Sequence, residues 1–363
     1  MQIEWLELTD FRSYRALSFA PGSSINILSG ANGQGKTNVL EGLGVLLVGR
    51  SFRGARLGEQ VGWGATAAVL GGEVRKGEAA RRIRRRIEER EDGRWGLAGE
   101  GCPWVRAVPF AWPDMAVITA GPQARRNFLD GVAAKLYPAH GRAWSRYRQV
   151  LTRRNLLLQS GIPPREIAAR IEPWNVQLAQ LGGEVRQRRV IALDALGREF
   201  SSLHGDLSGE VGVDLVYRPT GGTVDLDVAV LQAAMEARLA DEIRRGQSLV
   251  GPHRDEIDIL VGGRDARLFA SRGQQRVLAL ALRLAEARAV ATAQGSPPVL
   301  LLDDALSELD RRTQERVVQH IAGAGQVFLT TAEREVPVAG AAWWDVRGGS
   351  VTQVTLTRIR GAA

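Results

Sequence analysis

The sequence is poor in cysteine and has no long apolar run. Its single cysteine, Cys102, excludes an internal disulfide and a thiolate zinc site, and it fits a reducing compartment. The apolar stretch VLEGLGVLLVG is shorter than the ~20 residues that a membrane-spanning helix needs, and it contains a glutamate. The first residues, MQIEWLELTD, carry acids where a signal peptide needs bases. We therefore expect a cytoplasmic protein without a membrane partner.

The charge of the chain is basic. With 48 Lys and Arg against 40 Asp and Glu, the net charge is +8, and the isoelectric point is about 10.4. The hydrophobic fraction of 44% and the charged fraction of 24% are ordinary for a soluble globular protein. The 363 residues are enough for roughly two domains. A basic balance favours an acidic partner such as nucleic acid and is silent about the fold.

The residue pattern changes twice along the chain. Short alternating runs such as SINIL, AAVLGGEV and RRIRRRIEE predict strands in the first part. Apolar residues at three- and four-residue spacing then predict helices over 122–245, and we expect Gly161, Pro163–Pro164, Pro173 and Gly182–Gly183 to break them into ordinary lengths. Glycine-punctuated α/β sequence returns over 246–363. The prediction is a discontinuous α/β lobe, 1–121 with 246–363, carrying an inserted, mainly helical lobe.

A phosphate-binding loop lies near the N-terminus. The segment GANGQGKT matches G-x-x-x-x-G-K-[ST] completely, between a strand-like run, INILS, and a helical run. Its backbone N–H groups and the helix N-terminus can face one anion. Lys36 is placed to reach the β- and γ-phosphates of ATP, and the Thr37 hydroxyl to bind Mg²⁺. A glycine-rich turn that matches by chance is the alternative, and the flanking elements disfavour it. The predicted nucleotide contacts are Gly30, Ala31, Asn32, Gly33, Gln34, Gly35, Lys36 and Thr37.

Two adjacent aspartates follow a second apolar run, in PPVLLLDDALSELD. Four apolar residues predict a buried parallel strand that ends at Asp303 and Asp304. Asp303 is placed to hold Mg²⁺, as the acid closing this strand does in P-loop proteins. Asp304 is placed to orient or deprotonate the attacking water. A helix N-cap is the alternative, and it would account for only one of the two acids.

A capped helix start lies about thirty residues before Asp303, in ASRGQQR. Ser271 and Gln274 fit the S-x-x-Q capping box, and capping alone is sufficient to explain them. However, the order of this helix start and the Asp303 strand resembles that of the signature motif in ABC-type ATPases. The segment SELD, which ends at Asp310, then lies where their D-loop lies.

Several long blocks resemble the RecF family, in the order in which that family has them. They are LTDFRSYRALSFAPGSSINILSGANGQGKTNVLEGLGVLLVGRSFR, GPQARRNFLD, VGPHRDEIDILVGGRDARLFASRGQQR and VLLLDDALSELDRRTQERV, and together they extend over nearly the whole chain. The resemblance implies an α/β ABC-type P-loop ATPase head, with mixed sheets plus helices and an inserted mainly helical lobe, similar to the heads of SMC proteins. The helical insert is too short and too interrupted for an SMC-type long coiled coil.

The resemblance also implies a mechanism. ATP bound to the P-loop of one subunit would meet the signature helix of a second copy, closing an ATP-dependent homodimer. The Ser271 hydroxyl and the backbone at Gly273 would contact the γ-phosphate, with Gln274 supporting the cap. Asp310 would face the partner's site. Arg12 matches an arginine that reaches the nucleotide phosphates in related heads, with an ordinary surface arginine as the alternative.

The family further implies partners and a pathway. Work at gapped or junction DNA, single-stranded and double-stranded, is expected in DNA repair and replication restart. RecR, and through it RecO and RecA, are the implied protein partners. A cytoplasmic protein with these partners would be associated with the nucleoid.

The chain departs from the ABC pattern at three points. Asp304 stands where a glutamate is usual, and it is shorter by one methylene. Thr330 and Thr331 stand where a histidine is usual. No glutamine lies near VPFAWPDM, where the Q-loop falls. We therefore expect slow ATP hydrolysis, DNA-dependent and suited to a timed clamp, with Asp304 and Lys36 as the catalytic residues.

A row of arginines indicates where DNA binds. As a strand, VRKGEAARRIRRRIEER turns Ile83, Ile87 and Arg85 to the core and alternate arginines outward. The outward residues, Arg82, Arg84 and Arg86, would track a phosphate backbone. A solvated, charged edge strand is the alternative. No base-reading motif is evident, so we expect binding without sequence preference.

Two other groups of polar residues are less specific. A second basic region on the inserted helices is equally well read as a wet helix face. Its members are Arg142, Arg146, Arg148, Arg153 and Arg154. We expect His253, with Arg254 and Asp255, to have a local structural or interface role, because nothing pairs the histidine with a metal or nucleophile.

Two other functions compete with a DNA clamp. The ATPase subunit of an ABC transporter shares the P-loop and signature, but the arginine-rich strand, the basic isoelectric point and the LTDFRSY block argue against it. A structural chromatin protein with vestigial ATP binding is the second alternative, and ATP-independent dimerisation would favour it.

Overall fold

A computed structural model describes residues 1–210, 212–221, 227–333, 336 and 338–354. The chain divides into two compact units. Unit 1 comprises Met1–Asp114, Asp206–Ser208 and the described residues from Leu280 onward, and unit 2 comprises the described residues of Met115–Gly205 and Gly209–Ala279. The predicted boundaries after residues 121 and 245 stay predictions.

The described strands and helices follow the predicted order along the chain: mainly strands first, then mainly helices, then alternating strands and helices. The strands are β1 (Gln2–Phe11), β2 (Tyr14–Phe19), β3 (Ile25–Ser29), β4 (Ala67–Lys76), β5 (Ala79–Glu89), β6 (Trp95–Ala98), β7 (Ala107–Phe110), β8 (Val213–Arg218), β9 (Glu256–Val261), β10 (Arg264–Asp265), β11 (Val299–Leu302), β12 (Val327–Thr331), β13 (Ala342–Arg347) and β14 (Ser350–Val354). The helices are α1 (Lys36–Val48), α2 (Ala116–Thr119), α3 (Pro122–Leu136), α4 (Ala139–Leu158), α5 (Pro164–Ser208), α6 (Val228–Arg245), α7 (Ala266–Phe269), α8 (Arg272–Gln294) and α9 (Arg311–Ile321). Two short 3-10 helices occupy Leu57–Gln60 and Trp112–Met115.

Unit 1 is built on two sheets. The six-stranded sheet has the order β14-β13-β3-β12-β11-β7, and its strands are parallel except for β14. The runs VLLL of β11 and VFLTT of β12 are buried throughout, as is typical of parallel strands covered on both faces. The five-stranded sheet, β2-β1-β4-β5-β6, is antiparallel. Side chains of α1 and of both sheets form one apolar core. This packing fixes the start of α1 beside the ends of β11 and β12.

Unit 2 contains helices and an antiparallel sheet of order β10-β9-β8. The prediction that Pro173 and Gly182–Gly183 end helices is wrong, because α5 runs unbroken over Pro164–Ser208. At Gly182 the reason is close packing, since an added Cβ would lie 2.9 Å from a methyl carbon of Leu231. An interior proline costs a helix about 3 kcal/mol, which tertiary packing can offset. Within the described residues, no helix is both long and apolar enough to span a membrane.

Candidate functional site

The phosphate loop connects β3 to α1, as the motif requires. Gly30, Gly33 and Gly35 have φ of 150°, 81° and 105°, which L-residues with a side chain rarely adopt. A Cβ at Gly30 would lie 2.4 Å from the carbonyl oxygen of Val346 in β13. A Cβ at Gly35 would lie 2.8 Å from the Tyr14 hydroxyl oxygen. The glycines therefore let the loop lie directly against its neighbours. They also let the loop backbone turn around a single space that an anion could fill.

Lys36 is held within that loop. It is 9% exposed, and its Nζ donates to the carbonyl oxygens of Gly30 at 2.6 Å and Ala31 at 3.0 Å. Burial lowers the pKa of Lys36, because it disfavours the charged form, and the nearby Asp304 and Asp303 oppose that effect. The ammonium group thus caps the loop that would hold an anion.

Asp303 and Thr37 meet where β11 ends and α1 begins. The Thr37 hydroxyl donates to Asp303 Oδ1 at 2.8 Å, and the Thr330 hydroxyl donates to the same oxygen at 2.8 Å. Burial raises the pKa of Asp303, and the hydrogen bonds from Thr330 and Thr37 oppose this rise. The two predicted Mg²⁺ ligands are therefore adjacent, and Thr330 fixes the carboxylate.

Asp304 follows Asp303 directly after strand β11. Its backbone has a left-handed φ of 51°. Its N–H donates to the Thr330 hydroxyl oxygen at 2.8 Å. The Thr330 side chain therefore holds Asp303 by its carboxylate and Asp304 by its backbone, a role that the sequence did not indicate.

Four of these side chains, Lys36, Thr37, Asp304 and Thr330, line one cavity of about 340 Å³. Its lining residues are Asn32, Gly33, Gly35, Lys36, Thr37, Asn38, Arg53, Asp304 and Thr330. Sequence reasoning missed Arg53, and the available signal was a second arginine-containing turn, GRSFRG, directly after the P-loop helix. Of the other predicted loop contacts, Gln34 accepts a hydrogen bond from Gly348 N at 3.0 Å.

Arg12 lies beside this cavity's helix and forms an ion pair. Its Nε and Nη2 donate to the two carboxylate oxygens of Glu41 at 2.9 and 2.8 Å. Glu41 lies on α1 and is fully buried. The expected contact between Arg12 and a phosphate stays a prediction.

The predicted signature stands at the start of α8, in unit 2. Gln274 N donates to Ser271 Oγ at 3.3 Å, and Ser271 N donates to Gln274 Oε1 at 2.9 Å, so the predicted capping box is confirmed. Ser271 and Gly273 are exposed. In unit 1, Asp310 caps α9 by accepting hydrogen bonds from the Thr313 N–H and hydroxyl. Those hydrogen bonds lower the pKa of Asp310. The proposed roles of all four residues need a second copy of the chain.

Strand β5 has the predicted two faces. Ile83, Ile87 and Arg85 are buried, and Arg85 Nε donates to the Leu46 carbonyl oxygen at 2.8 Å. The three alternate arginines are exposed, and we call them the arginine row: Arg82, Arg84 and Arg86. The alternative of an edge strand is only partly right, because β5 lies between β4 and β6, although β6 pairs only with Arg86–Glu89. Arg82 also pairs with Glu73 at 3.0 Å.

One arginine of the second basic region cannot contact DNA. Arg154 is fully buried and donates to Asn175, Ser248 and Glu242 at 2.6–2.9 Å. The other four members are exposed. The helical period places Arg154 on the inner face of α4, whose buried residues include Ala143 and Tyr147.

Both ring nitrogens of His253 make hydrogen-bond contacts within unit 2, and its expected structural or interface role stays a prediction. Its Nδ1 lies 2.6 Å from the Tyr147 hydroxyl oxygen, and its Nε2 lies 3.2 Å from the Ser248 carbonyl oxygen. A carbonyl can only accept, so Nε2 carries a proton. Burial lowers the pKa of His253 to about 4. Asp255 is fully buried and pairs with Arg186 at 2.7 Å.

The protein alone offers few metal ligands. Among the described residues, no group of three or more His, Cys, Asp and Glu side chains could hold a metal ion. Thr37 and Asp303 supply two oxygen atoms, which suits Mg²⁺ because that ion commonly takes its remaining ligands from phosphate and water.

Comparisons with known proteins agree with this geometry. Residues 2–347 match the family described as the RecF/RecN/SMC N-terminal domain. The DNA replication and repair protein RecF of Heliobacterium modesticaldum is 36% identical over 345 residues, which cover 91% of this chain and 92% of that protein. Two solved structures of the recombination mediator protein RecF in the RecFOR pathway, with ATPrS and with ATP, match with TM-scores of 0.85 and 0.84. The first is 25% identical and covers 98% of both chains, and the second is 26% identical and covers 97% of both.

Proposed function

The chain belongs to the RecF family of DNA replication and repair proteins, which has the ABC-type ATPase head of SMC proteins, and we propose that it is an ATP-dependent DNA clamp. Its work would be recombinational repair and replication restart. The arrangement that carries the proposal is the cavity shared by Lys36, Thr37 and Asp304, with Asp303 bonded to Thr37.

The cavity fits the phosphates of ATP. Backbone N–H groups of a positive-φ loop and a helix N-terminus favour an anion, and Lys36 adds a positive charge. Thr37 and Asp303 would hold Mg²⁺, which neutralises phosphate charge during transfer. Solved relatives with ATP and ATPrS support the choice of nucleotide.

Hydrolysis would be slow. Asp304 would orient or deprotonate the attacking water, but its carboxylate is one methylene shorter than the glutamate usual in ABC ATPases. Thr330, which replaces the usual histidine, hydrogen-bonds to Asp303 and Asp304 and has no basic group. Slow turnover makes bound ATP a timer for DNA release, and DNA would stimulate it.

Two copies would close around two ATP molecules. Ser271, Gly273 and Gln274 stand at the N-terminus of the 23-residue helix α8, where a helix dipole favours an anion. That anion would be the γ-phosphate held by Lys36 of the other copy. Asp310 would face the same site. A substitution of Ser271 is therefore expected to affect dimerisation more than nucleotide binding.

The arginine row would bind the DNA backbone. Three exposed arginines on alternate positions of one strand point to the same face, and contacts to phosphates carry no sequence information, which favours binding without sequence preference. Gapped or junction DNA, RecR, RecO and RecA are the partners we propose from family membership. A nucleoid-associated place in the cytoplasm follows from them.

Sedimentation with and without ATP and DNA tests this function. Wild type is expected to dimerise only with ATP. Lys36→Met is expected to lose ATP binding and dimerisation together, and Ser271→Arg to keep ATP binding as a monomer. If Ser271→Arg still dimerises with ATP, the two-copy site is wrong. Dimerisation and DNA binding without ATP would favour a structural chromatin protein instead.

A further inference from the structure

We propose that Glu41 is a positioning residue of the nucleotide site, which holds Arg53 in the lining of the phosphate cavity and Arg12 beside helix α1. The inference rests on the proposed ATP site and deepens it. Glu41 lies one helical turn after Thr37 on α1, so both side chains leave the helix on the same side. No motif in the sequence singled Glu41 out.

Glu41 makes four polar contacts although its side chain is fully buried. Arg12 donates to both carboxylate oxygens, at 2.9 and 2.8 Å. Arg53 Nη1 lies 3.5 Å from Oε2. The Ser51 hydroxyl donates to Oε1 at 2.6 Å. A buried carboxylate is retained only when it is paired and hydrogen-bonded, and Glu41 meets both conditions with two cations.

Ser51 extends this hold to the backbone of Arg53. The same hydroxyl oxygen that bonds Glu41 accepts the Arg53 N–H at 3.1 Å. Glu41 thus contacts the guanidinium group of Arg53 directly, and it is connected to the backbone N–H of Arg53 through the Ser51 hydroxyl. Arg53 is 42% exposed and lines the phosphate cavity. The position of the Arg53 side chain in that cavity therefore depends on the buried carboxylate of Glu41.

Arg12 is fixed even more tightly. Its Nη1 donates to the Glu59 carbonyl oxygen at 2.5 Å, in addition to the two bonds to Glu41. Its backbone has a left-handed φ of 53°, a conformation that persists only where the surroundings determine it. Three of the five guanidinium N–H groups are thereby used, and two stay available for a further acceptor.

The net charge of the Glu41, Arg12 and Arg53 side chains would favour binding of a phosphate group nearby. One carboxylate and two guanidinium groups sum to one positive charge, held in fixed positions beside the P-loop. Loss of the carboxylate would leave two arginines that repel each other, and a mobile side chain must be ordered again when the ligand binds. Glu41 therefore raises ATP affinity without contacting ATP.

ATP binding by Glu41→Gln tests the proposal, measured with a fluorescent ATP analogue and non-hydrolysed ATP as competitor. We expect the dissociation constant to rise roughly tenfold, within the range of coupling for side chains in contact. Glu286→Gln is the matched control, because Glu286 is also fully buried and paired with an arginine, Arg283. Both variants are expected to lose stability, but only Glu41→Gln to lose affinity. Equal affinity losses in the two variants, or none in Glu41→Gln, would overturn the proposal.

A double-mutant cycle distinguishes positioning from general destabilisation. In an Arg53→Ala background, Glu41→Gln is expected to change ATP affinity less than in wild type, because the part of its effect that passes through Arg53 is already lost. A full, additive effect contradicts the proposal. Ser51→Ala provides a milder test should Glu41→Gln not fold, with an expected loss of roughly threefold on the same scale. No change in Ser51→Ala would also contradict it.

The proposed function and this inference fail differently. If wild type does not bind ATP, or Lys36→Met binds it equally well, the ATP site itself is wrong. If wild type binds ATP, Lys36→Met does not, and Glu41→Gln binds like wild type, only the positioning role is wrong.

Discussion

Replacement of Thr330 by valine isolates the bridge between the two aspartates. Thr330 is 2% exposed at the end of β12. Its hydroxyl oxygen donates to Asp303 Oδ1 and accepts from Asp304 N, both at 2.8 Å. Valine keeps the branched shape of the side chain and removes both hydrogen bonds. The change therefore tests whether this hydroxyl sets the geometry of hydrolysis.

The two lost bonds give the magnitude. A hydrogen bond to a charged acceptor contributes about 1.5–3 kcal/mol, and a buried donor left without a partner costs about 1–3 kcal/mol. If about 2 kcal/mol of that sum is lost in the transition state, kcat falls roughly 30-fold. ATP affinity is expected to change less, because Lys36 keeps its contacts with the loop.

Single-turnover hydrolysis and ATP binding, measured separately, decide the outcome. Thr331→Val is the matched control, because Thr331 is the next residue and is also buried, but its hydroxyl oxygen accepts a hydrogen bond from Glu333 N at 2.9 Å. We expect a large fall in kcat for Thr330→Val and little change for Thr331→Val. Equal kcat values in wild type and Thr330→Val would refute the reasoning.

Asp304→Asn should retain ATP binding and ATP-dependent dimerisation and lose hydrolysis; hydrolysis that survives would exclude Asp304 as the base. Replacing all three arginines of the arginine row with glutamine should lower the slope of log K against log salt for duplex DNA by about 2–3, since each phosphate contact contributes about 0.9; an unchanged slope means that the row does not touch DNA. Arg154→Met should lower the free energy of unfolding in urea by about 3–5 kcal/mol, because it leaves buried Glu242 without its charge partner, whereas the exposed neighbour Arg153→Met should change it little. His253 has a folded pKa of about 4, below its ordinary value of 6.5, so the unfolded chain binds the proton first and stability falls as the pH drops below 6.5. About 2 kcal/mol should be lost between pH 7 and pH 5; the same loss in His253→Gln would assign the pH dependence to other groups.

Local sequence determined the elements of the nucleotide site. The P-loop, the strand before Asp303 and the capping box at Ser271 each depend on a few consecutive residues, so a short pattern predicts them. Strand β5 was predictable for the same reason, since alternation over adjacent positions fixes which arginines face outward.

Contacts between distant residues could not be predicted in the same way. In sequence, Arg154 does not differ from its exposed arginine neighbours. Its burial depends on hydrogen bonds to Asn175, Glu242 and Ser248, which are distant in the chain. Pro173 is a reliable helix breaker by propensity, but tertiary packing keeps α5 continuous. Glu41 gave no signal, because its arginines lie on two different turns of the chain.

The place of β3 in the central sheet has a consequence for protein synthesis. Its neighbours on both sides, β12 and β13, come from residues 327–331 and 342–347. A ribosome adding about 5–20 residues per second needs roughly 15–60 s to make the intervening 300 or so residues. Throughout that interval the nascent P-loop has neither flanking strand, so the emerging polypeptide cannot complete its ATP site. The P-loop therefore gains both of its flanking strands only late in translation.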